Sequence, residues 1–74
     1  MWIKAQTNEL INADRMTGIF IVKHFDKWRV NAYENVVENV FWTIGEYTAE
    51  EQAQQFLREF AINIDHNCKY MEAV

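Results

Sequence analysis

The sequence predicts an α+β fold in which an antiparallel β-meander of about four to five strands carries one amphipathic helix on one face. Between residues 2 and 44, short runs alternate apolar and polar side chains with a period of two, the pattern of half-buried strands. From about residue 48 to 66, apolar side chains recur every three or four residues, as in a helix with one face in a core. We expect a chain of 74 residues to form a single domain, residues 1–74.

The strands are bounded by residues that favour turns. The polar run Thr7–Glu9 separates the first two strands, Gly18 begins the third, and a tight turn at Asp26 follows it. Gly45 closes the last strand before the helix. In chain order, the expected strands are residues 2–6, 10–12, 18–25, 28–33 and 37–44.

The helix has a start signal and a nearly continuous apolar stripe. Thr48 and Glu51 have the spacing of a capping box, in which each side chain satisfies a free backbone amide of the first turn. Ile62 projects opposite the stripe, so it is either a single exposed apolar residue or a contact with a partner or a second copy. The stripe consists of Ala49, Ala53, Phe56, Leu57, Phe60 and Ile64.

Both faces of the central strands carry large apolar groups, whereas one helix can cover only one face of a sheet. Phe20, Val22, Tyr33 and Phe41, or the residues that alternate with them, therefore need another cover. A second copy of the chain or a target protein would provide it. A homodimer is accordingly one of the interpretations that we carry forward.

Acidic residues are concentrated in the second half of the chain. The net charge is −4, and residues 30–57 contain five acids and no Lys or Arg. This distribution speaks against general binding to a phosphate backbone. It is explained either by a solvated face or by an acidic surface that docks on a basic protein. The residues expected to contact a partner in the second case are Glu34, Glu38, Glu46, Glu50 and Ile62.

One short segment supports a nucleic-acid alternative. At one hairpin tip, four residues combine cations with an aromatic ring, as in proteins that bind single strands. An ordinary polar hairpin end would have the same composition, and direct nucleic-acid binding conflicts with the overall charge. The residues in question are Lys23, Lys27, Trp28 and Arg29.

No pattern of residues indicates catalysis. The chain has no serine, only two glycines and a single cysteine, so serine nucleophiles, phosphate-binding glycine loops and four-ligand zinc sites lack their residues. Cys68 lies near His66 in sequence, but no third group completes a site. We expect no catalytic residue, metal or cofactor. No apolar run is long enough for a membrane span or a signal peptide, and a lone thiol suits the cytoplasm.

The layout resembles a loose group of small bacterial and prophage proteins of unknown function. The matching features are Trp2-Ile3, the Leu10–Asn12 strand, and the run from Gly45 through Tyr47 into the helix. The resemblance implies a meander followed by one helix, a bacterial cytoplasm and an association with mobile elements. It implies no catalytic residues, and it ends at Asp65.

Together these observations indicate a non-catalytic protein-binding module. The narrower interpretation is a phage inhibitor of a host nucleic-acid-targeting system, of the anti-CRISPR kind, whose acidic surface occupies a basic channel. A structural or regulatory homodimer and a weak nucleic-acid binder remain the alternatives.

Overall fold

The structure, a computed structural model that describes residues 1–74, is α+β as predicted, with six strands in two small sheets and one helix. A single turn of 3-10 helix, Ala13–Arg15, follows the second strand. The expectation of one meander is wrong, because the first two strands belong to a separate sheet. The elements are β1 (Trp2–Lys4), β2 (Leu10–Asn12), β3 (Gly18–His24), β4 (Lys27–Asn35), β5 (Val40–Tyr47), α1 (Glu50–Asp65) and β6 (Tyr70–Glu72).

The first sheet has the order β2-β1-β6, and the second is the meander β3-β4-β5. Strand β1 is antiparallel to β2 and parallel to β6. Gln6, just past β1, connects the two sheets. Its amide donates to the carbonyl of Ile44 (2.9 Å), and its side-chain oxygen accepts from the amide of Glu46 (2.8 Å). The chain thus leaves one sheet and immediately pairs with the other.

One core is shared by both sheets and the helix. On the second sheet, the inner face carries Val30, Ala32 and Ile44, against which α1 packs Ala53 and Phe56. The first sheet adds Ile3, Ile11 and Met71 to the same cluster. Large side chains such as Ile3, Val30 and Ile44 are fully buried, each stabilising the fold by about 1.5–3 kcal/mol. The sequence did not determine which face of the sheet the helix covers, and the structure shows that it is the face with Val30, Ala32 and Ile44.

The helix starts one residue later than its predicted capping box. Ala49 is the N-cap, and the side-chain oxygen of Gln52 accepts from the Ala49 amide (3.1 Å) and the Thr48 hydroxyl (3.2 Å). Glu51, freed from capping, binds Arg58 (3.0 Å). Gln52, one position after Glu51, makes the hydrogen bond to the N-cap amide that was expected of Glu51. The start of α1 is therefore one residue later than predicted.

The helix end produces the strand that the sequence analysis missed. Asn67 adopts a left-handed conformation (φ 57°), its amide donates to Ile64 (3.0 Å), and the Cys68 amide donates to Asn63 (2.9 Å). These two bonds define a Schellman motif, which reverses the chain after a helix. The tail then pairs in parallel with β1, with Met71 opposite Ile3.

Two turns lie elsewhere than predicted. The β4–β5 turn spans residues 36–39, since Asn35 accepts from the Glu38 amide (3.0 Å) and Asn39 is left-handed (φ 58°). Strand β5 consequently begins at Val40 and continues through Gly45. The β3–β4 turn consists of Phe25 and Asp26, because His24 pairs with Lys27. Phe25 was expected to end the third strand and instead occupies the turn.

Phe25 is held in an unfavourable backbone conformation. Its φ is 57°, and its side chain is 86% exposed beside the His24 ring. A non-glycine residue in this region costs about 1–2 kcal/mol, and an exposed ring recovers little of it by packing.

We predict that F25G will be more stable than F25A by about 1 kcal/mol, because both remove the ring and only glycine relieves the backbone. Urea unfolding followed by circular dichroism measures the difference. Equal stability of the two variants would show that the turn is not strained at this residue.

Candidate protein-binding surface

The outer face of the second sheet carries three aromatic rings that no other element covers. Phe20 on β3, Tyr33 on β4 and Phe41 on β5 form a row across all three strands, which we call the aromatic row. The ring centroids of Phe20 and Tyr33 are 5.3 Å apart, and those of Tyr33 and Phe41 are 5.0 Å apart. Phe20 is 45% exposed and Phe41 38%. These side chains lie on the face opposite the helix, which decides between the two faces that the sequence left open.

Strand alternation and a glycine position the aromatic row. Tyr33 pairs directly with Phe41 and with Gly18, so these residues share one face. The Phe20 ring folds back over Gly18, where an added Cβ would come within 2.8 Å of the ring. An aromatic ring that shields a neighbouring glycine is a known stabilising arrangement in sheets. Gly18 therefore provides the space that places Phe20 beside Tyr33.

Polar groups next to the aromatic row are satisfied within the sheet. Asn31, only 4% exposed, accepts a hydrogen bond from the Thr43 hydroxyl (2.9 Å). Nearer the β3–β4 turn, Arg29 donates to Glu46 (2.7 Å). Exposed aromatics beside paired polar groups are the usual composition of a protein-binding patch, an apolar centre with a polar rim.

The predicted acidic contact residues lie on different elements and do not form one patch. Glu46 is paired with Arg29 on the outer sheet face, and Glu34 lies 3.7 Å from Arg15. Since Glu46 pairs with Arg29, it stands five residues along β4 from Glu34, or about 16 Å. Glu34 and Glu46 are therefore each paired with an arginine within the chain.

The remaining predicted contacts point to solvent. Glu38 lies in the β4–β5 turn without an ion-pair partner, and Glu50 begins α1, where Gln54 donates to it (3.3 Å). Ile62 is 57% exposed on the helix, as expected from its position opposite the stripe. The stripe itself is shorter than predicted, because Ala49 is the N-cap and Ile64 lies beyond the core and is exposed.

The residues of the nucleic-acid alternative are divided between the two faces of the β3–β4 hairpin. Lys23 and Trp28 are opposite each other, with the ammonium 5.3 Å from the ring centroid. Trp28 packs against the core on the inner face. Lys27 and Arg29 are on the outer face, where Arg29 is bound to Glu46. The one fully displayed ring at this tip is Phe25, which the sequence analysis had assigned to the strand.

The structure has four hollows, two of which are lined by aromatic side chains. One, of about 520 Å³, lies between the start of α1 and Tyr47, where burial and then the Glu59 carboxylate raise the pKa of the Tyr47 phenol. The other, of about 300 Å³, has Trp2 and Trp42 in its wall and Glu34 at its lining. Neither hollow is lined by a serine, threonine, cysteine, lysine or histidine.

Cys68 and His66, which lie close together in the sequence, have structural roles at the end of α1. The Cys68 thiol contacts the Asn63 side-chain oxygen (3.5 Å), and His66 is the C-cap of α1. No three His, Cys, Asp or Glu side chains are grouped closely enough to hold a metal ion.

The α1 helix lacks the length and apolarity needed to cross a membrane. Comparison with models of protein families, with curated proteins and with solved structures finds no match to this chain.

Proposed function

We propose that this chain is a non-catalytic protein-binding module whose main contact surface is the aromatic row. The observation that supports it most directly is a row of three rings, the middle one in contact with both others, on a sheet face that the helix does not cover. The core is already closed on the other face, so the fold does not require large apolar side chains here. At Phe41, which shields no glycine, a threonine would suit the strand position.

The composition of the face favours a protein as the partner. Aromatic residues and arginine are enriched at protein interfaces, and a few central aromatics commonly supply most of the binding energy. The aromatic row crosses the sheet near the β4–β5 turn, and the Arg29–Glu46 pair lies four residues, or about 13 Å, from Tyr33 along β4. Such a surface binds apolar side chains of a partner, while the ion pair orients the contact.

The size of the face limits the affinity of a single copy. Three strands spaced by about 4.8 Å and seven residues long present roughly 300 Å² in projection. A standard interface buries about 800 Å² per partner. Binding through this face alone is therefore expected to be weak unless neighbouring surface or a second copy contributes.

Truncating the aromatic row tests this proposal. We predict that F41T weakens partner binding at least about tenfold, which corresponds to about 1.4 kcal/mol, since one of the three rings of the contact surface is lost. Co-purification from cells that naturally contain the chain identifies partners, and calorimetric titration measures the affinity. I62T removes an apolar group that is 57% exposed on the helix, against 38% for Phe41, and is the control. Unchanged affinity in F41T, or an equal loss in I62T, would refute the proposal.

The narrower proposal is an inhibitor of a host nucleic-acid-targeting system, which the prophage resemblance and the net charge of −4 support. Of the four acids expected to contact a basic partner, Glu38 and Glu50 have no cation partner, whereas Glu34 and Glu46 are paired with arginines.

E38K should therefore slow association with a basic partner several-fold at low salt and little at high salt, because screening removes long-range attraction. Stopped-flow mixing measures the rate, with E59K as a control of equal charge change. Equal slowing by both variants would indicate a net-charge effect rather than a docking site.

A further inference from the structure

Strand β3 is a long, open sheet edge. It spans seven residues, contains no proline, and pairs with β4 from Gly18 to His24 without a register shift. None of the backbone hydrogen bonds formed outside the regular elements involves it. Natural proteins usually protect such edges with short strands, bulges, proline or several charges. In β3, Lys23 is the only charged side chain, and most of the other residues are aromatic or β-branched.

The other edges are protected. On β5, Gln6 binds the backbone at Ile44 and Glu46, and the pairing with β4 contains two register shifts. In the first sheet, the edge strands β2 and β6 have only three residues each. The hydrogen-bonding groups of β3 are thus the one extended set that the fold leaves without a partner.

The hairpin geometry shows which groups are free. In a two-residue hairpin, the pair that flanks the turn exchanges both hydrogen bonds, and every second pair repeats this. His24 and Lys27 flank the turn, so Val22 and Phe20 also bond to β4. The amides and carbonyls of Ile19, Ile21 and Lys23 consequently point away from the sheet.

We infer that β3 pairs antiparallel with β3 of a second copy, with Ile21 opposite Ile21 of that copy. This register is symmetric, as a two-fold interface requires. It places Ile19 opposite Lys23 in both directions, so the two lysines never face each other. Three hydrogen-bonded pairs would contribute about six backbone hydrogen bonds. The result is a continuous six-stranded sheet.

The pairing also explains the outer face. Phe20 of one copy lies opposite Val22 of the other, so both aromatic rows join one apolar surface. The projected face grows to roughly 600 Å², closer to the 800 Å² that a standard interface buries per partner. A second copy is favoured over an unrelated strand because the free groups Ile19, Ile21 and Lys23 are symmetric about Ile21, and because this register places each Lys23 opposite an apolar Ile19 and not opposite another cation. The inference goes beyond the proposed function and does not depend on it.

Hydrogen exchange measured by NMR at low and high protein concentration tests the pairing without any substitution. We expect the amides of Ile19, Ile21 and Lys23 to exchange at least about tenfold more slowly at high concentration, because only dimerisation protects them. The amides of Phe20, Val22 and His24 should be protected at both concentrations. Unprotected exchange at Ile19, Ile21 and Lys23 in concentrated samples, together with monomeric sedimentation, would overturn the inference.

Substitution at Lys23 provides a second test. K23P removes an amide hydrogen that β4 does not use, which an edge strand tolerates, whereas K23A keeps it. K23P should sediment as a monomer at concentrations where K23A is a dimer. A dimer in K23P would contradict the register. If K23P does not fold, the exchange pattern of the unmodified chain decides. F41T should leave the dimer intact because Phe41 lies on β5. Loss of partner binding in F41T and loss of the dimer in K23P can therefore be told apart.

Discussion

The fold depends on a single shared core that neither sheet could form alone. The first sheet consists of strands of three residues, too short for an independent hydrophobic face. Gln6 connects it to the second sheet through one backbone and one side-chain hydrogen bond. Since the chain has one cysteine and no metal cluster, this junction and the burial of nine apolar side chains replace the cross-links that small domains often need.

The same constraint creates the open surfaces. The first sheet and α1 pack against one side of the β3-β4-β5 meander, and no element remains to cover the other side. The aromatic row and the free edge of β3 lie on this uncovered part. The features that we propose for function are therefore direct consequences of the topology rather than additions to it.

Local patterns in the sequence were sufficient for most elements. Alternation with a period of two located the strands, and the three-to-four spacing located α1, because both reflect which side chains face the core. The parallel pairing of β6 with β1 was missed, since the two strands are 65 or more positions apart and the tail has only three paired residues. Asn67, a favoured residue for the left-handed position after a helix, was the available signal.

The candidate site was predicted only in part. The sequence analysis recognised Phe20, Tyr33 and Phe41 as side chains in need of a cover but could not decide which face the helix takes. The excess of acids between residues 30 and 57 does not reveal that Arg15, in the 3-10 turn, binds Glu34 and that Arg29, on the neighbouring strand, binds Glu46. Such pairs depend on which residues lie opposite each other in the fold, and the amino-acid composition does not give this information. Phe25 was assigned to a strand because its type favours sheets, whereas the pairing of His24 with Lys27 places it in the turn.

The central claim is that the outer sheet face, and not the helix, contacts another protein. Photo-crosslinking tests it most directly, with a photoreactive phenylalanine analogue placed at Phe41 in one sample and at Ile62 in another, in cells that naturally contain the chain. The account predicts a discrete crosslinked partner from position 41 and none from position 62. A partner captured from position 62 alone would contradict it.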